Sequence, residues 1–384
     1  MHILHVSHGW GQGGSQLYAA GLANAQASLG NRVQRFGPDG GRRGRRTGFE
    51  GGHFDAGVER RFAEAARDVE VVHLHHLSGL SLELPRIARE AGALVVFTLH
   101  DYWLACARGQ LVNEAGDRCP GPSTARCAAC LAPDLYAPLP RAVAKRLPSR
   151  SAPILRREAG WASVRAHTHA FFAPSRHVAA RLGVEAIATP LPLLRQIPAA
   201  PPAPAGVLRL LFLGSLIPTK GVQVLLDAFA GLPAGSASLR ITGPSPPWRG
   251  SGRWAEVFAA RAAAVPGVSL AAGVSPEAVV AELHEADVLV VPSTWEENAP
   301  LVLAEAAAAG LRIVASDLGG IPELVPEGVL VPPGSVPDLR AALVAEVRRG
   351  RGRLPPRPGG SMAAHAAELL AHYAHLRSRL ARSG

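Results

Sequence analysis

The sequence predicts an α/β protein of two doubly wound, Rossmann-like domains with parallel sheets, and three observations carry the prediction. Short apolar runs alternate with helical stretches, the alternation restarts after a Pro/Ala-rich break, and 384 residues suit two domains of ordinary size. Hydrophobic residues make up 48% and charged residues 18%, enough apolar material for two packed cores and too little charge for a disordered chain.

The first strand is expected at Ile3–Ser7, ahead of a Gly-rich turn. Tyr18, Leu22, Ala25 and Leu29 then mark a helix face that Gly30 closes. A second strand follows at Val33–Phe36, and others at Val69–Leu74 and Ala93–Leu99, with a short helix over Leu82–Glu90 between them. Arg195–Gly206, RQIPAAPPAPAG, has the composition of a semi-rigid linker. Beyond it Val207–Leu213 is a strand, and Val222, Leu225, Leu226 and Phe229 form one helix face. Strands are expected at Ser238–Thr242, Val268–Leu270, Val288–Val291, Arg312–Ser316 and Val329–Val331. After a Pro/Gly break at Pro355–Gly360, Met362–Leu380 makes a last helix without a strand of its own, expected to pack back on the first domain. The boundaries that result are 1–195 completed by 361–384, a linker over 196–206, and a second domain over 207–360.

Forty Lys plus Arg against thirty Asp plus Glu give a net charge of +10, which favours anionic partners, although the Arg-, Ala-, Gly- and Pro-rich composition makes part of it a coding bias. The start of the chain lacks the basic region and cleavage site of a secretory leader, and no apolar run reaches the roughly 18 residues of a membrane span. A cytoplasmic protein is the expectation, with no nucleic acid as partner. The basic stretch Arg141–Arg157, with Arg42–Arg46, suggests docking on an anionic membrane or a lipid-linked acceptor; a solvated basic face is the commoner explanation of such a run.

Three motifs carry chemistry. Gly9–Ser15 (GWGQGGS) joins a strand to a helix N-terminus, where free N–H groups and the helix dipole favour a phosphate, and Gly13 and Gly14 permit close backbone approach. Gly9, Gly11 and Gly14 match G-x-G-x-x-G, with Asp39 after the second strand as a candidate ribose partner; a tight turn explains the glycines equally well. Leu213–Gly221 (LGSLIPTKG) repeats the topology and sets Lys220 just before a helix, where it can reach a diphosphate; taken alone, a solvated surface Lys is the commoner explanation. Val288–Gly310 places Glu297 on a loop and Glu305 on the helix it enters, two acceptors suited to adjacent sugar or ribose hydroxyls. Glu305 sits on an apolar face where an unpaired charge is costly, so a partner is expected; an exposed Glu on an Ala-rich helix fits the spacing as well.

PSTWEENAPLVLAEAAAAG, with the upstream GSLIPTKG, GGSQL and FTLHDYW, resembles the retaining glycosyltransferases of family 4, of the GT-B fold, over nearly the whole chain. The resemblance implies two facing Rossmann-like domains and metal-independent transfer of a sugar from a nucleotide diphosphate sugar to a glycan, a lipid-linked or a small-molecule acceptor. It implies that Glu297 contacts the donor sugar, Glu305 the ribose, and Lys220 the diphosphate. Gly14, beside Gly13, would approach the transferred sugar and its phosphate, and His100 would stand next to the donor sugar. Gly214 and Ser215 lie in the diphosphate loop, where Ser215 replaces the family's usual arginine and Arg176 or another basic residue would compensate. Asn298, Ala299, Pro300 and Leu301 line the helix N-terminus that would meet sugar or phosphate. His100, Glu297 and Lys220 are thus the candidate catalytic residues. The other readings are a nucleotide-sugar epimerase, a catalytically silent nucleotide-sugar-binding protein and a nicotinamide-dependent dehydrogenase.

Cys106, Cys119, Cys127 and Cys130 are all the cysteines in the chain, and Cys127-x-x-Cys130 has the knuckle spacing of structural zinc sites. A structural zinc would order a loop poor in apolar residues. Two disulfides, disfavoured by a reducing compartment, and four independent thiols are the alternatives.

Overall fold

The structure is a computed structural model, which describes residues 1–11, 13–37, 55–113, 115–135, 139, 143, 151–198, 206–248, 252–271, 273, 275–357 and 359–383. Asp39, the Arg42–Arg46 cluster and residues 141, 142 and 144–150 of the basic stretch lie outside the described residues. The chain divides into two compact units, Met1–Leu194 with Gly360–Gly384, and Arg195–Gly359.

Unit 1 is built from β1 (His2–Val6), α1 (Gly14–Ser28), β2 (Arg32–Phe36), α2 (Ala56–Ala65), β3 (Val71–Leu74), α3 (Leu84–Glu90), β4 (Leu94–Thr98), α4 (Thr124–Leu135), α5 (Ala152–His167), β5 (Ala170–Ala173), α6 (Arg176–Leu182) and β6 (Ala186–Ala188). Its six strands are parallel in the order β2-β1-β3-β4-β5-β6. The reversal at β1 is a topological switch point, where α/β sheets leave a crevice beyond their strand ends. Strands β3 and β4 are buried along their full length, as strands covered by helices on both faces must be. On α1 the expected face is right at Tyr18 and Leu22, both 1% exposed or less, but Leu29 caps the helix and is exposed. Strands β5 and β6, of four and three residues, are too short to show a period and were not expected from the sequence.

Unit 2 contains β7 (Leu208–Leu213), a 3-10 turn (Pro218–Lys220), α7 (Val222–Phe229), β8 (Ala237–Thr242), α8 (Arg253–Ala263), β9 (Val268–Ala271), α9 (Pro276–Glu285), β10 (Val288–Val291), α10 (Leu301–Ala308), β11 (Arg312–Ser316), α11 (Ile321–Leu324), β12 (Val329–Val331) and α12 (Val336–Arg349). Its sheet, again parallel, runs β12-β11-β10-β7-β8-β9. Leu210, Phe212, Val288, Val290 and Val314 face one helical layer with Leu225, Leu226 and Phe229, while Leu211, Leu289 and Ile313 face the other with Leu283 and Leu303. Alternate strand residues thus feed two cores, the period-2 signature of a doubly covered sheet.

The last helix, α13 (Met362–Ser383), belongs to unit 1, where Ala366, Leu369 and Tyr373 pack with Ile3, Tyr18, Leu22 and Val96. Part of the segment expected as a linker is integral to unit 2: Arg195 pairs with Glu305, and Ile197 packs on the core.

Candidate functional site

In unit 2 the loops after β7, β8 and β10 are pressed together at the carboxyl end of the sheet, and glycines make this possible. A Cβ on Gly243 would lie 1.8 Å from the carbonyl oxygen of Gly214, and one on Gly221 would lie 1.8 Å from that of Pro292. Gly221 also has φ 71°, a conformation that costs any other residue strain. Thr294 N–H donates to the Thr219 carbonyl at 2.8 Å, tying the Lys220 turn to the loop that carries Glu297.

Lys220 Nζ donates to Glu297 Oε1 at 2.7 Å, and the same oxygen accepts from Ser293 Oγ at 2.7 Å and Trp295 Nε1 at 2.8 Å. Lys220 also lies 5.4 Å from the Trp295 ring centroid. Behind the pair, Gly320 N–H donates to the Glu297 carbonyl at 2.7 Å, and Gly319, at φ 67°, allows that approach. Glu297 and Asn298 are each 4% exposed. A buried carboxylate gathered by one cation and two neutral donors is a preorganised acceptor. Pro300 caps α10, with Asn298 and Ala299 leading in and Leu301 opening it; Gly214 and Ser215 follow β7 directly.

Glu305, on α10 and 5% exposed, receives Arg195 Nε at 2.9 Å. Burial pushes its carboxyl up and the Arg195 guanidinium pulls it back, so the partner expected for this buried charge is Arg195.

In unit 1, Gly13 caps α1 at φ 104° with no side chain on the helix N-terminus, and Gly14 opens the helix. Gln16 closes the loop by accepting from Gly11 N–H at 3.2 Å and meeting His8 Nε2 at 3.1 Å. Arg176 stands exposed in the first turn of α6. His100 follows β4 and meets His75 at 3.3 Å; burial lowers its pKa to about 4. Around it lie His5, His73 and His75, at 1% exposure or less. Sequence reasoning missed these three. The signal was available: His73 lies in an otherwise apolar strand and His75 just past its end, a period-2 spacing that puts two polar side chains on one face of a buried sheet. Ser293, Trp295 and Arg195 were missed too, because their roles depend on which loops meet.

Cys106, Cys119, Cys127 and Cys130 are all free thiols lining one cavity of about 30 Å³. Cys119 Sγ donates to the Gly121 carbonyl at 3.3 Å, and Arg108 Nε donates to Cys130 Sγ at 3.4 Å. Burial pushes the Cys106 and Cys127 thiols up. The fold brings the four together without setting them at coordination distance: among the described residues, no three of the sulfurs lie within 4.8 Å of one another, whereas nitrogens of His5, His73 and His75 do.

Residues 208–348 match the family described as glycosyl transferases group 1. The chain is 34% identical over 125 residues to the lipopolysaccharide 1,2-N-acetylglucosaminetransferase of Salmonella typhimurium, covering 31% of this chain, and spans about a third (33%) of that relative's length. Among solved structures it is similar to Anabaena Alr3699/HepE in complex with UDP and glucose, with a TM-score of 0.63 at 15% identity, covering 100% of this chain and 99% of the other. It is also similar to sucrose-phosphate synthase from Thermosynechococcus elongatus, with a TM-score of 0.58 at 18% identity over 99% and 97% of the two chains. The chain therefore has the GT-B fold, and residues 208–348 of its second unit match the group 1 glycosyl transferases.

Proposed function

We propose that the protein is a family 4 glycosyltransferase that moves a sugar from a nucleotide diphosphate sugar to an acceptor with retention of configuration. The observation that carries this reading is the Lys220–Glu297 pair, held by two interlocked loops inside the matched segment. Diphosphate entering beside α10 takes over Lys220, whose cation neutralises charge gathering on the leaving group; Glu297 then accepts from hydroxyls of the sugar. Glu305 accepts from the ribose hydroxyls, with Arg195 yielding or sharing it. The bond from the anomeric carbon to the diphosphate oxygen breaks, the acceptor oxygen bonds that carbon on the same face, and the acceptor proton passes to the departing phosphate oxygen. In this reading the chain supplies the compensating cations, so transfer needs no metal or organic cofactor.

UDP and glucose bound in the Anabaena structure support a nucleotide-sugar donor here; in this reading the chain works in the cytoplasm or on the anionic inner face of the membrane. The cysteine loop is read as a structural zinc site that draws its thiolates together when metal enters. Incubation with a panel of nucleotide sugars and mixed glycan and lipid acceptors tests the activity, and the anomeric proton coupling of the product tests retention. Release of nucleotide diphosphate with an inverted product would refute retention, and no acceptor-dependent release with any donor would refute the transferase.

A further inference from the structure

Behind His100 runs a chain of buried hydrogen bonds through β1, α1, β3, β4 and α13. His100 Nε2 meets His75 Nδ1 at 3.3 Å, His75 Nε2 meets His5 Nδ1 at 2.9 Å, and His5 Nε2 meets Gln26 Oε1 at 2.9 Å. Gln26 Nε2 donates to Tyr373 OH at 3.3 Å, Tyr373 OH meets His73 Nδ1 at 2.6 Å, and His73 Nε2 meets Thr98 Oγ1 at 2.7 Å. His5, Gln26, His73, His75, Thr98 and Tyr373 are all 1% exposed or less.

An imidazole shut away from water is neutral, with one nitrogen that donates and one that accepts, so in a chain each ring fixes its neighbour. Gln26 sets the sense, because its carbonyl oxygen can only accept. His5 must then carry its proton on Nε2, leaving Nδ1 to accept from His75 Nε2–H. His75 Nδ1 in turn accepts from His100 Nε2–H, and His100 is left with a bare Nδ1. On the other side the same sense continues: Gln26 donates to Tyr373, Tyr373 to His73 Nδ1, and His73 Nε2–H to Thr98. Every donor meets an acceptor.

We infer that His75, His5, Gln26 and Tyr373 are positioning residues that hold His100 as its Nε2–H tautomer, so that Nδ1 offers a lone pair to a hydroxyl of a sugar bound at unit 1. The second clause rests on the proposed function; the tautomer does not. Because nitrogens of His5, His73 and His75 lie within 4.8 Å of one another, a metal is the rival occupant. The rings argue against it. His73 stacks on His75 at 4.2 Å and His5 on His75 at 5.2 Å, with interplanar angles of 29° and 13°, so they lie side by side instead of converging. Both nitrogens of His73 are already engaged by Thr98 and Tyr373.

Long-range proton–nitrogen correlation spectra of the whole chain labelled with ¹⁵N-histidine test this without any substrate. Near neutral pH, His5, His73, His75 and His100 should all be neutral with the proton on Nε2. Gln26→Leu removes the fixed acceptor and should give mixed tautomers at His5, His75 and His100; Gln26→Glu, which only accepts, should restore one. Tyr373→Phe frees the Gln26 amide to turn with little change in shape, and should mix the same tautomers even where Gln26→Leu fails to fold. In transfer assays Gln26→Leu and Tyr373→Phe should lower kcat about tenfold, the scale of outer-shell partners, with little change in KM for the nucleotide sugar. His100 protonated on Nδ1 or charged, signals of His5, His73 and His75 shifted by added zinc, or tautomers unmoved in both variants would overturn the chain. The stated tautomers in a protein that transfers no sugar would uphold the chain and refute the proposed function.

Discussion

Acid should weaken unit 1 well before its carboxylates protonate, because the unit buries neutral imidazoles. His5 is 0% exposed, and burial lowers its pKa from 6.5 to about 4. A base whose folded pKa is depressed binds fewer protons folded than unfolded, so the stability it permits is complete above pH 6.5 and lost as pH falls towards 4. Between those values one imidazole costs up to about 3 kcal/mol, and at a pH of about 5.5 about 1 kcal/mol. His73 and His75 are buried as deeply and shifted in the same direction, so both add to that cost, against a domain stability of only about 5–15 kcal/mol. His100, half-buried, is shifted in the same direction. Amide exchange of β1 and β3 should therefore quicken steeply between neutral pH and pH 5.5, after correction for intrinsic rates. Denaturant unfolding at that pH should take up close to one proton per buried imidazole, about three from His5, His73 and His75. An uptake below one proton, or β1 protection independent of pH over this range, would show that the imidazoles are charged or hydrated in the fold.

Unit 2 holds a buried ion pair between Arg312 and Glu346, each side chain 6% exposed, and Arg312 also donates to the Gly350 and Gly352 carbonyls. Glu346→Ala strands that cation and should cost about 3–5 kcal/mol in the unfolding of unit 2, whereas Arg312→Met with Glu346→Leu should recover most of it; an unchanged midpoint in Glu346→Ala would contradict the pairing. Gly221→Ala drives a Cβ against the Pro292 carbonyl and should separate Lys220 from Glu297, weakening nucleotide diphosphate binding at least about tenfold, about 1.4 kcal/mol, by calorimetry; wild-type affinity would show that the loops tolerate separation. Protein purified without chelator should contain about one zinc per chain, lost in Cys127→Ser; metal-free protein with four titrating thiols would make the cluster incidental.

The alternation of strands and helices was legible where a strand is a short apolar run, as at Val288–Val291, and a helix shows a stripe, as at Val222, Leu225, Leu226 and Phe229. Strands β5 and β6 were not, since three or four residues cannot display a period, and their place comes from pairing with β4. Lys220, Glu297 and Glu305 stood out by position beside strand ends. Their partners did not, because Ser293, Trp295 and Arg195 become neighbours only when particular turns close, and those closures hang on Gly221 and Gly319. The histidine chain spans more than 300 residues of sequence between Gln26 and Tyr373, beyond the reach of any local pattern.

The central claim is that unit 2 binds the donor through Lys220 and Glu305, and calorimetric titration of the whole chain with nucleotide diphosphates and their sugars tests it most directly. The wild type should bind one nucleotide diphosphate. Lys220→Ala should weaken the diphosphate at least about tenfold while sparing the nucleoside, and Glu305→Gln should weaken both. Binding in both variants equal to the wild type, or no binding of any nucleotide diphosphate to the wild type, would contradict the account.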